Sequence, residues 1–340
     1  MSDLQLNVLP ARALSRAIAR VTAAGRVPFI WGSPGIGKSA VTTGAFAATG
    51  RNIIDIRLSQ WDAVDSRGIP QVVNGRTRWA LPELFPTDPD ADDVIVMDEF
   101  NSATKSVMAA MYQLVLDRGL GDYVLPKKVS MVALGNNASD RGIVNAMGTA
   151  LEGRFIHLGL AVDHDEWTEW AIDADIDINV VVYLRNISPD SLHKWRSDSP
   201  TKGQPTPRTW EFVSNIIKGD DLSDRQVTQA LIAGSIGDGE AAAFLGYLDI
   251  AAQMPDPEEC INNPTGSPVP TDPTVTFALC AAIAHRTNKG NVDGAHRYAS
   301  RLSAEFEALL VSDSARRSPD LKSTAAYIKW SIKNGREHAK

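Results

Sequence analysis

The stretch FIWGSPGIGKSAV, residues 29–41, constrains this chain more than any other. It satisfies the pattern G-x-x-x-x-G-K-[ST], with an apolar run before it and a small-residue helix after it. The glycines let the backbone wrap closely round phosphate groups, with main-chain amides pointing inward. Lys38 is expected to reach the β- and γ-phosphates, and the Ser39 hydroxyl to ligate Mg²⁺. The predicted loop comprises Gly32, Ser33, Pro34, Gly35, Ile36, Gly37, Lys38, Ser39 and Ala40.

An acidic pair in VIVMDEF, residues 94–100, supplies the second half of such a site. Four apolar residues indicate a buried central strand that presents Asp98 and Glu99 at its carboxyl end. Asp98 is expected to hold Mg²⁺ through water, and Glu99 to orient and polarise the attacking water. The pair favours hydrolysis of ATP over simple binding. A GTPase is excluded, because the only Asn-Lys pair, Asn288-Lys289, continues with Gly-Asn and not with the base-reading N-K-x-D.

The first 160 residues alternate helical and strand-like patterns, which is typical of a parallel α/β sheet. One helix is predicted over roughly 10–24, and another within 101–119 that stops at Gly119. From about residue 164 helical patterns dominate. A proline-dense stretch after residue 250 is equally compatible with a linker and with an ordered surface crossing. Five strands are predicted, at 27–31, 53–58, 94–98, 129–134 and 154–158.

Charge and composition narrow the choice of partners. The net charge of −7 argues against broad nucleic-acid binding, although it leaves room for a local basic channel. No run of about 18 apolar residues suggests a membrane span, and the N-terminus lacks the order of a signal peptide. Cys260 and Cys280 have no CxxC spacing, and the six histidines are scattered. These features favour a cytoplasmic protein without a structural metal.

Three further polar residues are candidates for sensing the nucleotide. Asn136 follows the strand-like VSMVAL, where an amide can reach between the γ-phosphate and the attacking water. Arg154 begins the fifth predicted strand, a position from which an arginine can stabilise the γ-phosphate of a neighbouring subunit. Arg141 is an alternative source of that arginine, and either residue is also compatible with a surface ion pair. Arg208 opens a helix in the second half and is a candidate for contacting the nucleotide in cis.

Taken in order, these pieces resemble an AAA+ ATPase, and more specifically its MoxR group, with the CbbQ/NorQ branch close by. The corresponding segments are GSPGIGKS as Walker A, VIVMDE as Walker B, Asn136 as sensor 1, Arg154 as arginine finger and Arg208 as sensor 2. DEFNSATKSVMAAMYQLVLDRGLGDYVLP resembles the MoxR D-E-[IF]-N-R-A segment, its long helix and the following hairpin. Two positions depart from the group: Ser102 stands in place of Arg, and GNN in place of T-Q-N-P.

The resemblance covers about residues 8–250 and implies a fold and an assembly. It implies an α/β P-loop domain followed by a helical lid. Together with the strand and helix patterns, this predicts a domain with a five-stranded parallel sheet at 1–160, a helical lid at 161–250 and a helical C-terminal extension at 251–340. The resemblance also implies ATP and Mg²⁺ at the boundaries of a ring, usually a hexamer. VVNGRTRWA is predicted to form a hairpin through Asn74-Gly75 that either faces the pore or lies on the surface. MoxR-type proteins usually act with a von Willebrand factor A-domain partner on a client, which the sequence does not identify.

Three functions are consistent with these features. The first is an ATP-driven ring that remodels a protein client or acts as a metal-cofactor chaperone, which the MoxR-like segment and the acidic balance favour. The second is a nucleic-acid motor or loader, for which the AAA+ core and the hairpin residues Arg76 and Arg78 argue. The third is a nucleotide-gated scaffold in which hydrolysis is incidental.

Overall fold

The computed structural model describes residues 6–137, 140, 152–219 and 222–334. The chain divides into two compact units, each of which has its own core. The first contains Met1–Glu166 with Trp195–Pro200, and the second contains Trp167–Lys194 with Thr201–Lys340. The expected lid and the expected extension therefore both belong mainly to the second unit, and a boundary between them at residue 250 stays a prediction.

A parallel sheet forms the centre of the first unit. In the described part of the chain it has six strands in the order β1, β10, β2, β9, β6, β3, and every neighbouring pair is parallel. The expected α/β fold with a parallel sheet and later helices is confirmed, but the expected count of five strands is wrong. The strands are β1 Asn7–Leu9, β2 Val27–Trp31, β3 Ile53–Arg57, β6 Val94–Asp98, β9 Ser130–Gly135 and β10 Phe155–Leu160.

The additional strand, β1, pairs with β10 at one edge of the sheet. It is three residues long, two of which are exposed, so it shows neither an apolar run nor alternation. Pro10 follows it directly and forms the N-cap of the first helix, which fixes the end of the strand. A strand this short gives no periodic signal, which is why sequence patterns overlooked it.

Helices cover both faces of this sheet, so its central strands are continuous apolar runs. β2 is buried at every position, as are the first four residues of β6. Successive side chains point to opposite faces. Phe29 and Met97 enter one core with Met111, while Ile30 joins a second core. The helices of this unit are α1 Ala11–Ala23, α2 Lys38–Ala47, α3 Ala63–Arg67 and α4 Lys105–Asp117, and α5 His164–Asp173 crosses its boundary.

The described part of the first unit contains two hairpins. The predicted one is present as β4 Ile69–Val73 and β5 Arg76–Ala80, and its turn residues Asn74 and Gly75 have φ of 51° and 70°. Positive φ at both turn positions is the type I′ geometry that suits the twist of a hairpin. The second hairpin pairs β7 Gly119–Leu120 with β8 Tyr123–Val124.

The helix stop was predicted at Gly119, but α4 ends at Asp117 and its left-handed C-cap is Arg118, with a φ of 52°. The Arg118 guanidinium donates to the carbonyl oxygens of Pro126 and Val129, at 2.8 and 2.7 Å. These bonds offset the cost of a left-handed non-glycine residue. Gly119 instead serves the hairpin, since a Cβ there would lie 2.5 Å from the Tyr123 carbonyl oxygen.

The second unit is helical in its described residues. Its core includes the two cysteine thiols, which are free, and burial raises the pKa of Cys280 to about 12. The proline-dense stretch is ordered here, and it contains a short helix that begins at Pro257. The helices are α6 Ile178–Val182, α7 Pro207–Ile217, α8 Arg225–Ile236, α9 Asp238–Ala251, α10 Pro257–Asn262, α11 Pro273–Arg286, α12 Val292–Ala299, α13 Ala304–Arg317 and α14 Ala325–Asn334.

No helix in the described ranges has both the length and the apolar composition needed to cross a bilayer.

Candidate nucleotide-binding site

The predicted phosphate loop connects β2 to α2 at the carboxyl edge of the sheet. Gly37 is the N-cap of α2 and has a φ of 93°, a conformation that strains any residue with a side chain. A Cβ at Gly32 would lie 2.5 Å from the terminal methyl group of Ile36, so a larger residue there would require the Ile36 side chain to move. The backbone thus places the N-terminus of a helix at the edge of the sheet, where amide groups attract phosphate.

Lys38 is buried within this loop, with 8% of its surface exposed. Its ammonium donates to the carbonyl oxygens of Gly32 and Ser33, at 2.7 and 3.0 Å, and to Asn136 Oδ1 at 2.9 Å. A buried ammonium requires such acceptors to offset its loss of hydration. The contact joins the loop to the residue that follows β9, the strand next to β2.

Ser39 and Asp98 meet across the same edge. The Ser39 hydroxyl donates to Asp98 Oδ2 at 2.8 Å, so residues 59 positions apart in the sequence are in contact. On the neighbouring strand β3, partial desolvation and the negative charge of Asp98 raise the pKa of Asp55. Carboxylates crowded with a hydroxyl offer the hard oxygen ligands that Mg²⁺ prefers.

Glu99 follows β6 in a left-handed conformation, with a φ of 54°. Such strain in a non-glycine residue is concentrated at functional sites. Its amide donates to Asp98 Oδ1 at 2.7 Å, and its carboxylate accepts a hydrogen bond from the Ser59 hydroxyl. Ser59 lies just beyond β3, the strand next to β6. Ser59 was not predicted from the sequence, because the adjacency of these two strands is not visible in local patterns.

Asn136 is held in place by a second asparagine. The fully buried Asn101 donates to the Asn136 carbonyl oxygen at 2.8 Å and accepts from its amide at 3.2 Å. Gly135 makes this approach possible, since a Cβ there would lie 2.8 Å from Asn101 Oδ1 and 2.7 Å from the Phe29 ring. The sequence GNN departs from the MoxR pattern, and steric crowding explains why its first residue, Gly135, is a glycine.

The structure brings together Lys38, Ser39, Asp98, Glu99 and Asn136, but Arg154 lies elsewhere. Arg154 is exposed and directly precedes β10, so it lies at the amino edge of the sheet. The five residues of β2 run from one edge of the sheet to the other, which is about 17 Å at a rise of 3.3 Å per residue.

The other two predicted arginines lie outside the described part of the first unit. Arg208 is the second residue of α7, belongs to the second unit and is exposed. Arg141 lies outside the residues that the structure describes.

A cavity of about 470 Å³ opens at the amino edge, away from the phosphate loop. Arg51 and Arg118, which line it, donate to main-chain carbonyl groups of neighbouring segments. Burial also lowers the pKa of Arg118. Because these cations already stabilise the ends of strands and loops, the cavity is distinct from the candidate nucleotide site.

No family profile and no curated protein matches this chain. Among solved structures, a point mutant of Thermotoga maritima RuvB is 16% identical, with a TM-score of 0.38 and 80% of each chain covered. Thermotoga maritima RuvB, described as a Holliday junction branch migration motor, has a TM-score of 0.32 at 15% identity, again with 80% of each chain covered. NtrX from Brucella abortus has a TM-score of 0.38 at 15% identity, covering 86% of this chain and 67% of its own. At these values the likeness carries no argument about function.

Proposed function

We propose that this chain is an AAA+ ATPase that binds ATP with Mg²⁺ and hydrolyses it. The observation that carries the proposal is the contact of Ser39 with Asp98, beside the contact of Lys38 with Asn136. Three adjacent strands, β2, β9 and β6, deliver these groups to one edge of the sheet. A phosphate loop, a metal-binding carboxylate and a polar sensor are the parts that this chemistry needs.

Each side chain has a distinct role in the proposed reaction. The loop amides and Lys38 bind the phosphates, and Ser39 and Asp98 would hold the metal ion. When bound, Mg²⁺ neutralises charge on the phosphate oxygens. Glu99 accepts a proton from the attacking water and orients it, while the Ser59 hydroxyl limits where its carboxylate can point. Asn136 supplies an amide beside the ammonium of Lys38.

Two substitutions separate binding from hydrolysis. Glu99→Gln is expected to keep ATP binding and to lower hydrolysis about 100-fold or more, because it removes the proton acceptor. Lys38→Ala is expected to weaken both. Glu83→Gln, at an exposed position, is the control. Binding of a fluorescent ATP analogue and release of phosphate are the measurements. Hydrolysis at the wild-type rate by Glu99→Gln would reject the proposed mechanism.

The exposed position of Arg154 supports a site shared between subunits. Arg154 lies at the amino edge of the sheet, and the length of a strand, about 17 Å, separates that edge from the phosphate loop of the same chain. We infer that it reaches the γ-phosphate bound by a neighbouring copy, which requires a homo-oligomer, as in the hexameric rings that the resemblance implies. The role of Arg208 as a cis sensor belongs to the same proposal.

The finer part of the proposal is MoxR-type remodelling of a protein client with a von Willebrand factor A-domain partner. Its support is the MoxR-like segment that starts at Asp98, together with the exposed hairpin, where Val72 and Trp79 share a face and are 79% and 46% exposed. A pull-down with Glu99→Gln tests this part, because ATP-bound assemblies retain their clients. Recovery of neither a client nor such a partner would count against it.

A nucleic-acid motor is the second candidate, and the observation that favours it lies on the opposite face of the same hairpin. Arg76 and Arg78 alternate along β5, so both point to one face, and both are exposed. Hydrolysis that DNA stimulates, and that salt strongly weakens, would support this function. Hydrolysis that is indifferent to DNA would favour the protein remodeller, and client binding unchanged in Lys38→Ala would favour a scaffold.

A further inference from the structure

A chain of hydrogen bonds leads from the phosphate loop to the turn that carries Arg154. Trp31, the last residue of β2, directly precedes the loop and is 4% exposed. Its Nε1 donates to His157 Nδ1 at 2.9 Å. The other ring nitrogen of His157, Nε2, lies 2.8 Å from the carbonyl oxygen of Glu152, two residues before Arg154.

The partners of His157 fix its tautomer. The indole N–H of Trp31 only donates, so Nδ1 must be the unprotonated acceptor. The carbonyl group of Glu152 only accepts, so Nε2 must carry the hydrogen. The neutral imidazole therefore uses both nitrogens, one towards each end of the sheet.

Aromatic packing makes this connection stiff. Phe29 stacks on Trp31, with ring centroids 4.3 Å apart, and contacts Phe155 edge to face at 5.3 Å. Phe155 follows Arg154 directly, and its ring lies 5.5 Å from that of Phe100, which follows Glu99. Close-packed rings transmit displacement because they leave no empty space to absorb it. The cluster therefore includes the residue before the phosphate loop, the residue after Glu99 and the residue after Arg154.

We propose that His157 is a positioning residue that couples the phosphate loop of one subunit to the placement of Arg154 at the site of its neighbour. Strands β2 and β10 pair directly, with His157 opposite Phe29, so the connection crosses from the carboxyl edge to the amino edge within two strands. A shift of the loop reaches the Glu152 carbonyl group through two side chains, those of Trp31 and His157. The inference rests on the proposed function, since it needs Arg154 to act in trans.

A mixture of two defective subunits tests this coupling. Donor subunits carry Glu99→Gln, which is expected to keep ATP binding, and offer an intact Arg154, while acceptor subunits carry Arg154→Ala and keep an intact phosphate loop and Glu99. Mixing them is expected to restore hydrolysis wherever a donor arginine meets an acceptor site. His157→Phe is then added either to the donor or to the acceptor, and the regained phosphate release is measured.

The expected result is asymmetric. His157→Phe in the donor should lower the regained hydrolysis about tenfold or more, because a displaced arginine stabilises the transition state poorly. The same change in the acceptor should lower it far less, since that subunit already lacks Arg154. Equal loss in both arrangements, or no loss in either, would overturn the role of His157 and leave the shared site intact. If the mixture in which both subunits keep His157 regains no hydrolysis, the shared site itself is wrong, and the role of His157 fails with it.

Further variants separate positioning from folding. The side chain of His157→Gln can still accept one hydrogen bond and donate another. Mixtures whose donor subunit carries this substitution should therefore regain most of the hydrolysis seen with His157. If His157→Phe lowers the melting temperature, His157→Met serves as a second variant that removes both hydrogen bonds. His164→Phe, at the start of α5, is the matched control and should change nothing. Failure of the Gln variant to restore activity while the Phe variant folds normally would contradict the proposed hydrogen-bond chain.

Discussion

Asn101 affects the candidate site through the main chain of residue 136. Both atoms of its side-chain amide are used, one by the carbonyl oxygen and one by the N–H of Asn136. Asn101→Asp replaces the donor by an acceptor and sets it against that carbonyl oxygen. We expect a loss of about 1–3 kcal/mol in the free energy of unfolding and slower hydrolysis. Thermal unfolding and phosphate release measure both, with Ser102→Ala as a neighbouring control that should change little.

Gly135 provides a steric test at the same place. A Cβ there would lie 2.7 Å from the Phe29 ring and 2.8 Å from Asn101 Oδ1. Gly135→Ala is therefore expected to lower the free energy of unfolding by about 1–3 kcal/mol. Gly44→Ala is the matched control, because it lies exposed inside α2 with no atom within 4 Å of an added Cβ. It should stabilise the protein by up to about 1 kcal/mol, and a loss of stability from both changes in denaturant unfolding would contradict the steric argument.

At this scale the sequence predicted the residues that belong to local motifs. Lys38, Ser39 and Asp98 could be identified because spacing and residue type together define their chemistry. Ser59, Asn101 and Gly135 could not, since their importance depends on which strands are neighbours. An asparagine after an acidic pair, or a glycine ending a strand, has many possible roles until those neighbours are known.

Among the elements, α7 shows how a cap defines a helix. Thr206 and Thr209 form a capping box, in which each side chain bonds the backbone of the other, and Pro207 occupies the first turn. Thr206→Ala should cost about 1 kcal/mol in the free energy of unfolding. Ser303 is the control, because it is the N-cap of α13 but makes no side-chain capping bond there. A similar loss from Ser303→Ala would show that the capping bond is not the cause.

A largely buried carboxylate on α9 gives the second unit a dependence on pH. Burial alone would raise the pKa of Glu240, but hydrogen bonds from Lys194, Ser191 and Tyr183 outweigh it and lower the pKa. A lowered pKa contributes stability above the unfolded value, about 4.3, which is lost as the pH falls through the folded value. Glu240→Gln should therefore cost most near neutral pH and least below about pH 4. Melting curves across that range test this, and a constant cost would contradict it.

For the whole molecule, the proposed sharing of the site between subunits makes assembly and hydrolysis depend on the same residue, Lys38. If nucleotide joins the subunits, Lys38→Ala should lower the fraction of oligomer formed with ATP as well as the rate of hydrolysis. Sedimentation with and without ATP measures the first effect. Lys105→Ala, at an exposed helix start, is the control. Full assembly of Lys38→Ala with ATP would separate the two properties.

The fold as a whole was largely predictable, because alternating strand and helix patterns with buried apolar runs define a parallel α/β sheet. Its strand order was not predictable from local patterns, since it depends on long-range pairing. The additional strand β1 escaped because three residues give no period. The change to helical patterns near residue 164 lies close to the boundary after Glu166, whereas the assignment of Trp195–Pro200 to the first unit depends on long-range contacts that no local pattern reveals.

The two edge strands of the described sheet disfavour strand pairing between copies of this chain. β1 is only three residues long, and β3 carries the exposed charges of Asp55 and Arg57. Short or charged borders discourage the strand-to-strand addition that leads to amyloid-like polymers. In the proposed oligomer, where copies of the chain meet repeatedly, these borders protect against the commonest wrong encounter and leave the surfaces bearing Arg154 and the phosphate loop for the proposed one.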